Sequence, residues 1–313
     1  MTAYLIRRIW QMIPTMIGVM LLVFVIFNVF GADPSVVLAG KIPSKEKIAA
    51  IQEQLGLLDP WWMQLLIFAK QVVTFDFGRS WSTNETVSSL LMARAPVTLT
   101  VMLQVWVLDA LIAVSLASWV AYRRGSLTDR AVVAISTAAM SISLLLYVVI
   151  GQYVFGRMLG WFPVSGWASG DLWANITRYA PLPVFLMLLV SVAPSLRLYR
   201  SFVVEETNQD YVRTARAKGA GEGRVMVVHV LRNAAVPIVT NLGMQLPGLL
   251  IGSFLIEKIF SIPGVGGEIV VAVSNNDFPI IKAITVYTAM ATMIANLLVD
   301  VLYKWLDPRV EFK

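Results

Sequence analysis

Six runs of about 20 mostly apolar residues constrain this chain more than any other feature, because that length of helix crosses the hydrocarbon core of a bilayer. Only 14% of the 313 residues are charged, against roughly 25% in an average soluble protein, which is too few to cover a soluble surface. We therefore predict an all-α integral membrane protein with six transmembrane helices. The predicted spans are residues 9–30, 97–121, 132–156, 179–199, 236–256 and 283–303.

The distribution of Lys and Arg predicts the orientation of these spans. If the N-terminus is inside, residues 1–8, 122–131, 200–235 and 304–313 are cytoplasmic, and they hold 14 of the 25 basic residues. Cytoplasmic loops of membrane proteins are enriched in Lys and Arg, so both termini are predicted to lie inside. The first run is longer than the roughly 7–15 apolar residues of a signal peptide, and we expect a retained anchor.

The long first outside loop suggests a division of the chain into two parts. Residues 1–95 are predicted to form the first transmembrane helix and an extracytoplasmic loop with short helices, since SKEKIAAIQEQLG and PWWMQLLIFAKQVV have helical spacing but are too polar or too short to span. Residues 96–313 are predicted to form a five-helix core.

A short helix is predicted at residues 208–219, in the most basic segment of the chain. Asn208 can cap its start, Asp210 lies in the first turn near the positive end of the helix dipole, and Gly219 suits the position after its end. The spacing places four residues on one face: Tyr211, Thr214, Ala215 and Lys218. So short a helix is marginal in water, and we expect either a cytoplasmic protein or anionic lipid headgroups to pack on it.

This segment resembles the EAA loop of bacterial ABC importer permeases, specifically the peptide and nickel group. That group commonly reads D-Y-V-R-T-A-R-A-K-G and then H-x-L-R-N-A-x-x-P, whereas the general E-A-A-x-x-x-G motif has its Glu and first Ala replaced here by Arg213 and Thr214. The resemblance extends over nearly the whole chain, through six separate blocks: Leu55–Gln64, Phe75–Trp81, Asp210–Gly219, His229–Pro237, Glu257–Gly267 and Asn276–Ala283.

The resemblance implies a type I ABC importer permease fold in the bacterial inner (plasma) membrane, and a role for the predicted helix as a coupling helix that docks on a cytoplasmic ATPase. Its implied partners are a paralogous second permease, two ABC ATPase subunits and an extracytoplasmic substrate-binding protein. ATP and Mg²⁺ would bind to the ATPases, with no cofactor in this chain. The implied coupling residues are Asp210, Tyr211, Arg213, Thr214, Ala215, Arg216, Lys218 and Gly219. The residues implied to face the binding protein are Phe260, Pro263, Gly264, Gly266 and Asp277.

The implied substrates are short peptides, with nickel, glutathione or another small ligand as alternatives. Asn241 and Gln245 lie four residues apart in the fifth span and share a face, which makes them pathway candidates; Pro237 and Pro247 would give that span a start and a kink. Ser253 is a weaker candidate. Asp109 lies well inside the second span, where the family is usually apolar. An intramembrane acid usually faces a cavity or pairs with a cation. For Asp109, Asn241, Gln245 and Ser253 alike, the alternative to a pathway role is packing within the bundle.

Other functions lack their sequence signals. KGAGEGR is not a phosphate-binding G-x-x-x-x-G-K-[ST] loop, so ATP hydrolysis is assigned to another subunit. One histidine and no cysteine predict neither a metal site nor an enzyme. The net charge of +6 is not accompanied by a basic and aromatic stacking pattern, so nucleic acid is not an expected partner, whereas membrane lipid is. An ion-coupled secondary transporter is the more distant alternative, and it would need more buried acids and inverted repeats.

Overall fold

The computed structural model describes residues 2–30, 34–39 and 44–306, which form helices and a single isolated β-bridge between Arg79 and Thr86. The α-helices are α1 (Thr2–Val25), α2 (Pro34–Ala39), α3 (Lys45–Gln54), α4 (Trp61–Thr74), α5 (Val87–Tyr122), α6 (Leu127–Met140), α7 (Leu144–Gly151), α8 (Leu172–Ala174), α9 (Pro181–Thr207), α10 (Asp210–Ala217), α11 (Glu222–Arg224), α12 (Arg232–Ile251), α13 (Phe254–Ile259), α14 (Val265–Ser274) and α15 (Phe278–Leu306). Four π-helical stretches continue α1, α7, α8 and α11; they are Ile26–Phe30, Gln152–Met158, Asn175–Tyr179 and Val225–Leu231.

Within these ranges, five helical segments are long and apolar enough to cross a membrane, and there are six when the bent pair of α6 and α7 is counted as one span. The prediction of an all-helical fold with six membrane segments is confirmed. The third span, however, is not the continuous helix predicted over residues 132–156. It bends by 90° between α6 and α7, where the Ser143 side chain accepts a hydrogen bond from the backbone N–H of Leu145 and starts a new helix.

The fifth span also differs from its prediction. Helix α12 runs through both Pro237 and Pro247 and ends at Ile251, so the chain breaks at Gly252 and Ser253 rather than at a proline. Gly252 has a φ of +77°, which L-residues with side chains rarely adopt. A Cβ at Gly252 would lie 2.4 Å from the Glu257 carboxylate, so the break is where the backbone passes that side chain.

Side-chain contacts join the loops at one end of the bundle. Arg200 donates two hydrogen bonds, of 2.7 and 2.8 Å, to the carboxylate of Asp129. The Arg124 guanidinium donates to Asn208 at 3.2 Å. This end holds the loops predicted to be cytoplasmic between α5 and α6 and between α9 and α10.

A second cluster joins the loops at the opposite end. The Asp277 carboxylate accepts hydrogen bonds from the side chains of Ser80 and Ser82 and from the backbone N–H groups of Trp81 and Ser82, at 2.5 to 3.2 Å. The loop before α5 is thereby fixed to the loop before α15, as expected if both are extracytoplasmic.

The centre of the bundle is formed by α5 and α9. Ala113, Ala117 and Ala121 follow one another at four-residue intervals on α5 and are buried against Leu196 and Tyr199 of α9. Small side chains at this spacing let two membrane helices approach closely. The paired helices provide a rigid base for α10 at one end and for a cavity beside α12.

Candidate functional site

Helix α10 spans Asp210–Ala217, inside the predicted range of 208–219. Asn208 is not its N-cap, as the sequence had suggested. It ends α9 instead, and its amide donates to the Val204 carbonyl, while Gln209 takes the N-cap position without a side-chain hydrogen bond. Gly219 has a φ of +83° directly after the helix, as predicted for a residue in that position.

The buried face of α10 is formed by Val212 and Ala215. Both pack in one apolar cluster with Tyr199 and Val203 of α9 and with Val225 of the following π-helical stretch. Ala215 thus differs from Thr214 and Lys218, with which the sequence spacing groups it, because Ala215 packs within this chain and the other two are exposed. The remaining candidate coupling residues are exposed: Asp210, Tyr211, Arg213, Arg216 and Gly219.

Two contacts hold α10 to its neighbours. The Tyr211 hydroxyl donates a hydrogen bond to Glu206. Partial desolvation of the hydroxyl, together with that carboxylate, raises the pKa of Tyr211 to about 12, so it stays a neutral donor. The Arg216 guanidinium donates at 2.7 and 3.1 Å to Glu222, and this hydrogen-bonded pairing raises the pKa of Arg216. The helix is thus fixed on one side, and its other side presents exposed charge.

A cavity of about 380 Å³ lies between α5, α9 and α12 and brings together three of the predicted pathway residues, Asp109, Asn241 and Gln245. Asn241 accepts hydrogen bonds through Oδ1 from Gln245 Nε2 and from the Tyr199 hydroxyl, both at 3.1 Å. The fourth candidate, Ser253, does not line this cavity, since it lies at the break that follows α12.

Asp109 is buried and only partly hydrogen-bonded. Its Oδ2 accepts from the Ser195 hydroxyl at 2.8 Å, whereas its Oδ1 and the Ser191 hydroxyl oxygen are buried without a hydrogen-bond partner. The described residues that line the cavity include no Lys, Arg or His. A charged carboxylate at the centre of a membrane helix costs about 2.5–3.5 kcal/mol on insertion scales, so this arrangement needs an explanation beyond packing.

The sequence interpretation missed the contribution of α9 to this cavity. Ser191, Ser195 and Tyr199 follow at four-residue intervals, which places them on one face. That spacing was the available signal, but it does not reveal that the face meets Asp109 and Asn241.

Most residues expected to face a binding protein are buried within the chain. Phe260, Gly264, Gly266 and Asp277 are buried, and Pro263 is half-buried. They do not form the outer surface as predicted, because the glycines of this turn pack around the carboxylate of Glu257 and Asp277 is hydrogen-bonded to the loop before α5. The exposed residues nearby are Lys258, Ser261, Asn275 and Asn276.

Glu257 is 2% exposed and was not recognised from the sequence. Its carboxylate accepts hydrogen bonds from the Thr98 hydroxyl at 2.9 Å and from the Gly267 N–H at 2.7 Å. A Cβ at Gly264 would lie 2.4 Å from the same carboxylate. The glycines therefore leave the space that the Glu257 side chain occupies. Through its hydrogen bonds, Glu257 fixes the outer turn to α5.

Comparison with known proteins identifies the family. Residues 113–312 match the family model "Binding-protein-dependent transport system inner membrane component", and residues 1–102 match the model of its N-terminal membrane component. The chain is 36% identical to an oligopeptide transport system permease protein of Bacillus subtilis over the full length of both. It is 30% identical to a dipeptide transport system permease protein of Alkalihalophilus pseudofirmus and 33% identical to a glutathione transport system permease protein of Salmonella choleraesuis, again over both full lengths. The chain belongs to the binding-protein-dependent transport system inner membrane components, the multi-pass permeases of type I ABC importers.

Proposed function

We propose that this chain is one of two paralogous permease subunits of an ATP-driven importer of short peptides. The observation that carries the proposal is full-length similarity, at 30 to 36% identity, to proteins named as oligopeptide and dipeptide permeases. Two ATPase subunits would bind ATP and Mg²⁺, and an extracytoplasmic binding protein would deliver the peptide. The chain itself would carry out no catalysis.

Helix α10 is the proposed coupling helix. Val212 and Ala215 hold its buried face in an apolar cluster shared with α9 and with the π-helical stretch Val225–Leu231, which suits a helix that transmits force as a rigid body. Its exposed face, with Arg213, Thr214 and Lys218, is free to dock on an ATPase subunit. Because Ala215 belongs to the buried face, substitution there would test the packing of α10 rather than docking.

A continuous chain of contacts leads from α10 to the proposed pathway. Val212 packs in the same cluster as Tyr199, and the Tyr199 hydroxyl donates to Asn241 in the cavity wall. Movement of α10 would therefore shift the cavity between α5, α9 and α12 without an additional relay. Transmission between distant sites depends on packed side chains and hydrogen bonds that can adopt two discrete arrangements.

Reconstitution of the complete assembly in proteoliposomes tests this function. We expect ATP-dependent peptide uptake by the assembly and none by this chain alone. Reversing the exposed charge with Arg213→Glu should lower the number of peptides transported per ATP hydrolysed by about tenfold, the effect of a single important interface residue. Arg130→Glu, an exposed charge reversal on α6 at the same end of the bundle, is the matched control and should have little effect.

Three outcomes would contradict the proposal. Equal coupling in the two variants would exclude docking through this face of α10. Uptake driven by an ion gradient without ATPases would favour a secondary transporter. Mass spectrometry of ligands bound to the companion binding protein would identify the substrate, and glutathione or nickel in place of peptides would reassign it within the same architecture; one relative is named for glutathione transport.

A further inference from the structure

We propose that Asp109 and Ser191 form a binding site for a primary ammonium group, and specifically for the α-ammonium end of a peptide in transit. This inference rests on the proposed function for the identity of the ligand. The site itself follows from two buried oxygens, Asp109 Oδ1 and Ser191 Oγ, that have no hydrogen-bond partner and belong to side chains lining one cavity.

The free oxygens define the chemistry of the ligand. Asp109 supplies a carboxylate, and its other oxygen is already held by Ser195 at 2.8 Å, which fixes the orientation of the side chain. A primary ammonium has three N–H donors and no acceptor, so it matches acceptors that lack donors. The Ser191 hydroxyl is a second acceptor, and Gln245 has its amide nitrogen directed to Asn241 at 3.1 Å, which leaves its carbonyl oxygen for a ligand.

The charge around the site favours a cation. Among the described residues that line the cavity, Asp109 is the only ionisable side chain, so a bound ammonium would be its first counter-ion. Ion pairs are stronger away from water, where the effective dielectric constant is low. An anionic ligand would meet the carboxylate without a compensating cation.

The cavity dimensions and wall fit transient binding of a peptide end. The volume of about 380 Å³ exceeds that of an ammonium group and admits the residue that carries it. The two free oxygens are shielded in this conformation, so the wall must move for a ligand to reach them. Met102 and Met187 belong to the wall, and unbranched thioether side chains adapt readily to a new shape.

The absence of cysteine from the chain permits a direct test by thiol labelling. Gly248 lines the cavity, and a Cβ there would meet no atom within 4 Å, so Gly248→Cys places a thiol in open space. The full assembly in lipid nanodiscs is treated with two methanethiosulfonate reagents of similar size, one with a trimethylammonium group and one with a sulfonate. The mass of this chain reports the labelling rate at position 248.

We expect the cationic reagent to react faster than the anionic one, with a rate ratio about tenfold higher than in the same variant with Asp109→Asn, since tenfold corresponds to about 1.4 kcal/mol. Asp300→Asn removes a different, half-buried carboxylate of the bundle, which pairs with Arg8 outside the cavity, and should leave the ratio unchanged. Glycylglycine should slow labelling when Asp109 is present, whereas N-acetyl-glycylglycine should not.

Each alternative result has a definite meaning. A rate ratio that is unaffected by Asp109→Asn, or equal protection by the acetylated peptide, overturns the proposal. Protection by sodium ions at the same concentration as the dipeptide overturns the assignment to an ammonium. If the thiol reacts with neither reagent, calorimetric binding of glycylglycine to the assembly decides, and equal affinity of wild type and Asp109→Asn overturns the site. ATP-driven uptake by the wild-type assembly is measured separately, so its failure would contradict the proposed function rather than this site.

Discussion

Replacing Gly264 by Ala is expected to destabilise the chain strongly, although the backbone there suits any residue. Gly264 has φ −100° and ψ 176°, which is ordinary extended backbone. The added Cβ would lie 2.4 Å from Oε2 and 2.5 Å from Cδ of Glu257, and 2.6 Å from Oγ1 of Thr98. Non-bonded heavy atoms prefer about 3.5–4.0 Å. The Glu257 side chain would have to move, and Gly252 and Gly266 enclose it on other sides.

The size of the effect follows from these contacts. Overpacking a filled interior costs about 1–3 kcal/mol, and a lost hydrogen bond to a charged group costs about 1.5–3 kcal/mol. Displacing the Glu257 carboxylate would weaken or break the hydrogen bonds that it accepts from Thr98 at 2.9 Å and from Gly267 at 2.7 Å. A loss of about 4 kcal/mol in the free energy of unfolding results if one bond is broken. For 313 residues at typical unfolding entropies, that lowers the Tm by about 6 °C.

The assay is thermal unfolding of the purified chain in one detergent, followed by tryptophan fluorescence. Gly221→Ala is the matched control, because Gly221 is also an extended N-cap residue, with φ −62° and ψ 145°, and a Cβ there would meet no atom within 4 Å. A double-mutant cycle adds Glu257→Ala, which removes the side chain that Gly264→Ala would strike. Equal Tm values for Gly264→Ala and Gly221→Ala, or additive effects in the cycle, would refute the reasoning.

Three further predictions concern charge and packing. Hydrogen bonds outweigh burial and lower the pKa of Asp277 from its usual value, so this carboxylate stabilises the fold at neutral pH, and that contribution diminishes as the pH falls below about 4. Asp277→Asn should therefore lower the Tm at pH 7, and the loss of Tm should become smaller as the pH falls below about 4. Burial raises the pKa of Glu268, which Arg94 contacts at 2.9 Å. Arg94→Gln should therefore lower the Tm at pH 7, and the loss should shrink as the pH falls and Glu268 takes up a proton, or when Glu268→Gln is added; a pH-independent loss would argue against it. Val212→Ala should lower the Tm measurably because the side chain is buried against α9, whereas Arg213→Ala at the exposed neighbour should change stability by less than about 0.5 kcal/mol.

The number of spans was predictable because apolar length is a property of sequence alone, but the breaks within spans were not. Apolar residues continue on both sides of Ser143 and of Gly252, so composition gives no sign of a bend. The kink was predicted at Pro247, and α12 accommodates that proline. The helix ends at Gly252, where the side chain of Glu257 in the next short helix occupies the space that a Cβ would fill.

The same limit applies to the sites. Asn241 and Gln245 were found together because they belong to one helix, whereas Tyr199, which donates a hydrogen bond to Asn241, lies on another. The glycines and Pro263 in the outer turn were interpreted as a surface loop. Gly264 and Gly266 are instead buried around a carboxylate. A pattern rich in glycine thus indicates either an exposed turn or a tightly filled space, and only the fold distinguishes the two.

Two buried carboxylates in this bundle show why Asp109 is the one left for a ligand. Glu257 lies beside the start of α14, where the backbone N–H of Gly267 in the first turn has no partner within the helix and can reach it. Asp109 lies in the middle of α5 and faces α9 and α12, which remain helical at that level despite Pro194 in α9, so the backbone N–H groups present there are already used within the helices. Only side chains or a bound group can then satisfy its second oxygen, and Ser195 satisfies the first. Asp109 Oδ1 is therefore unpaired because of the position of Asp109 in α5. A hydrogen-bond donor on the substrate would pair with this oxygen only while the substrate is bound, and the cavity would stay open.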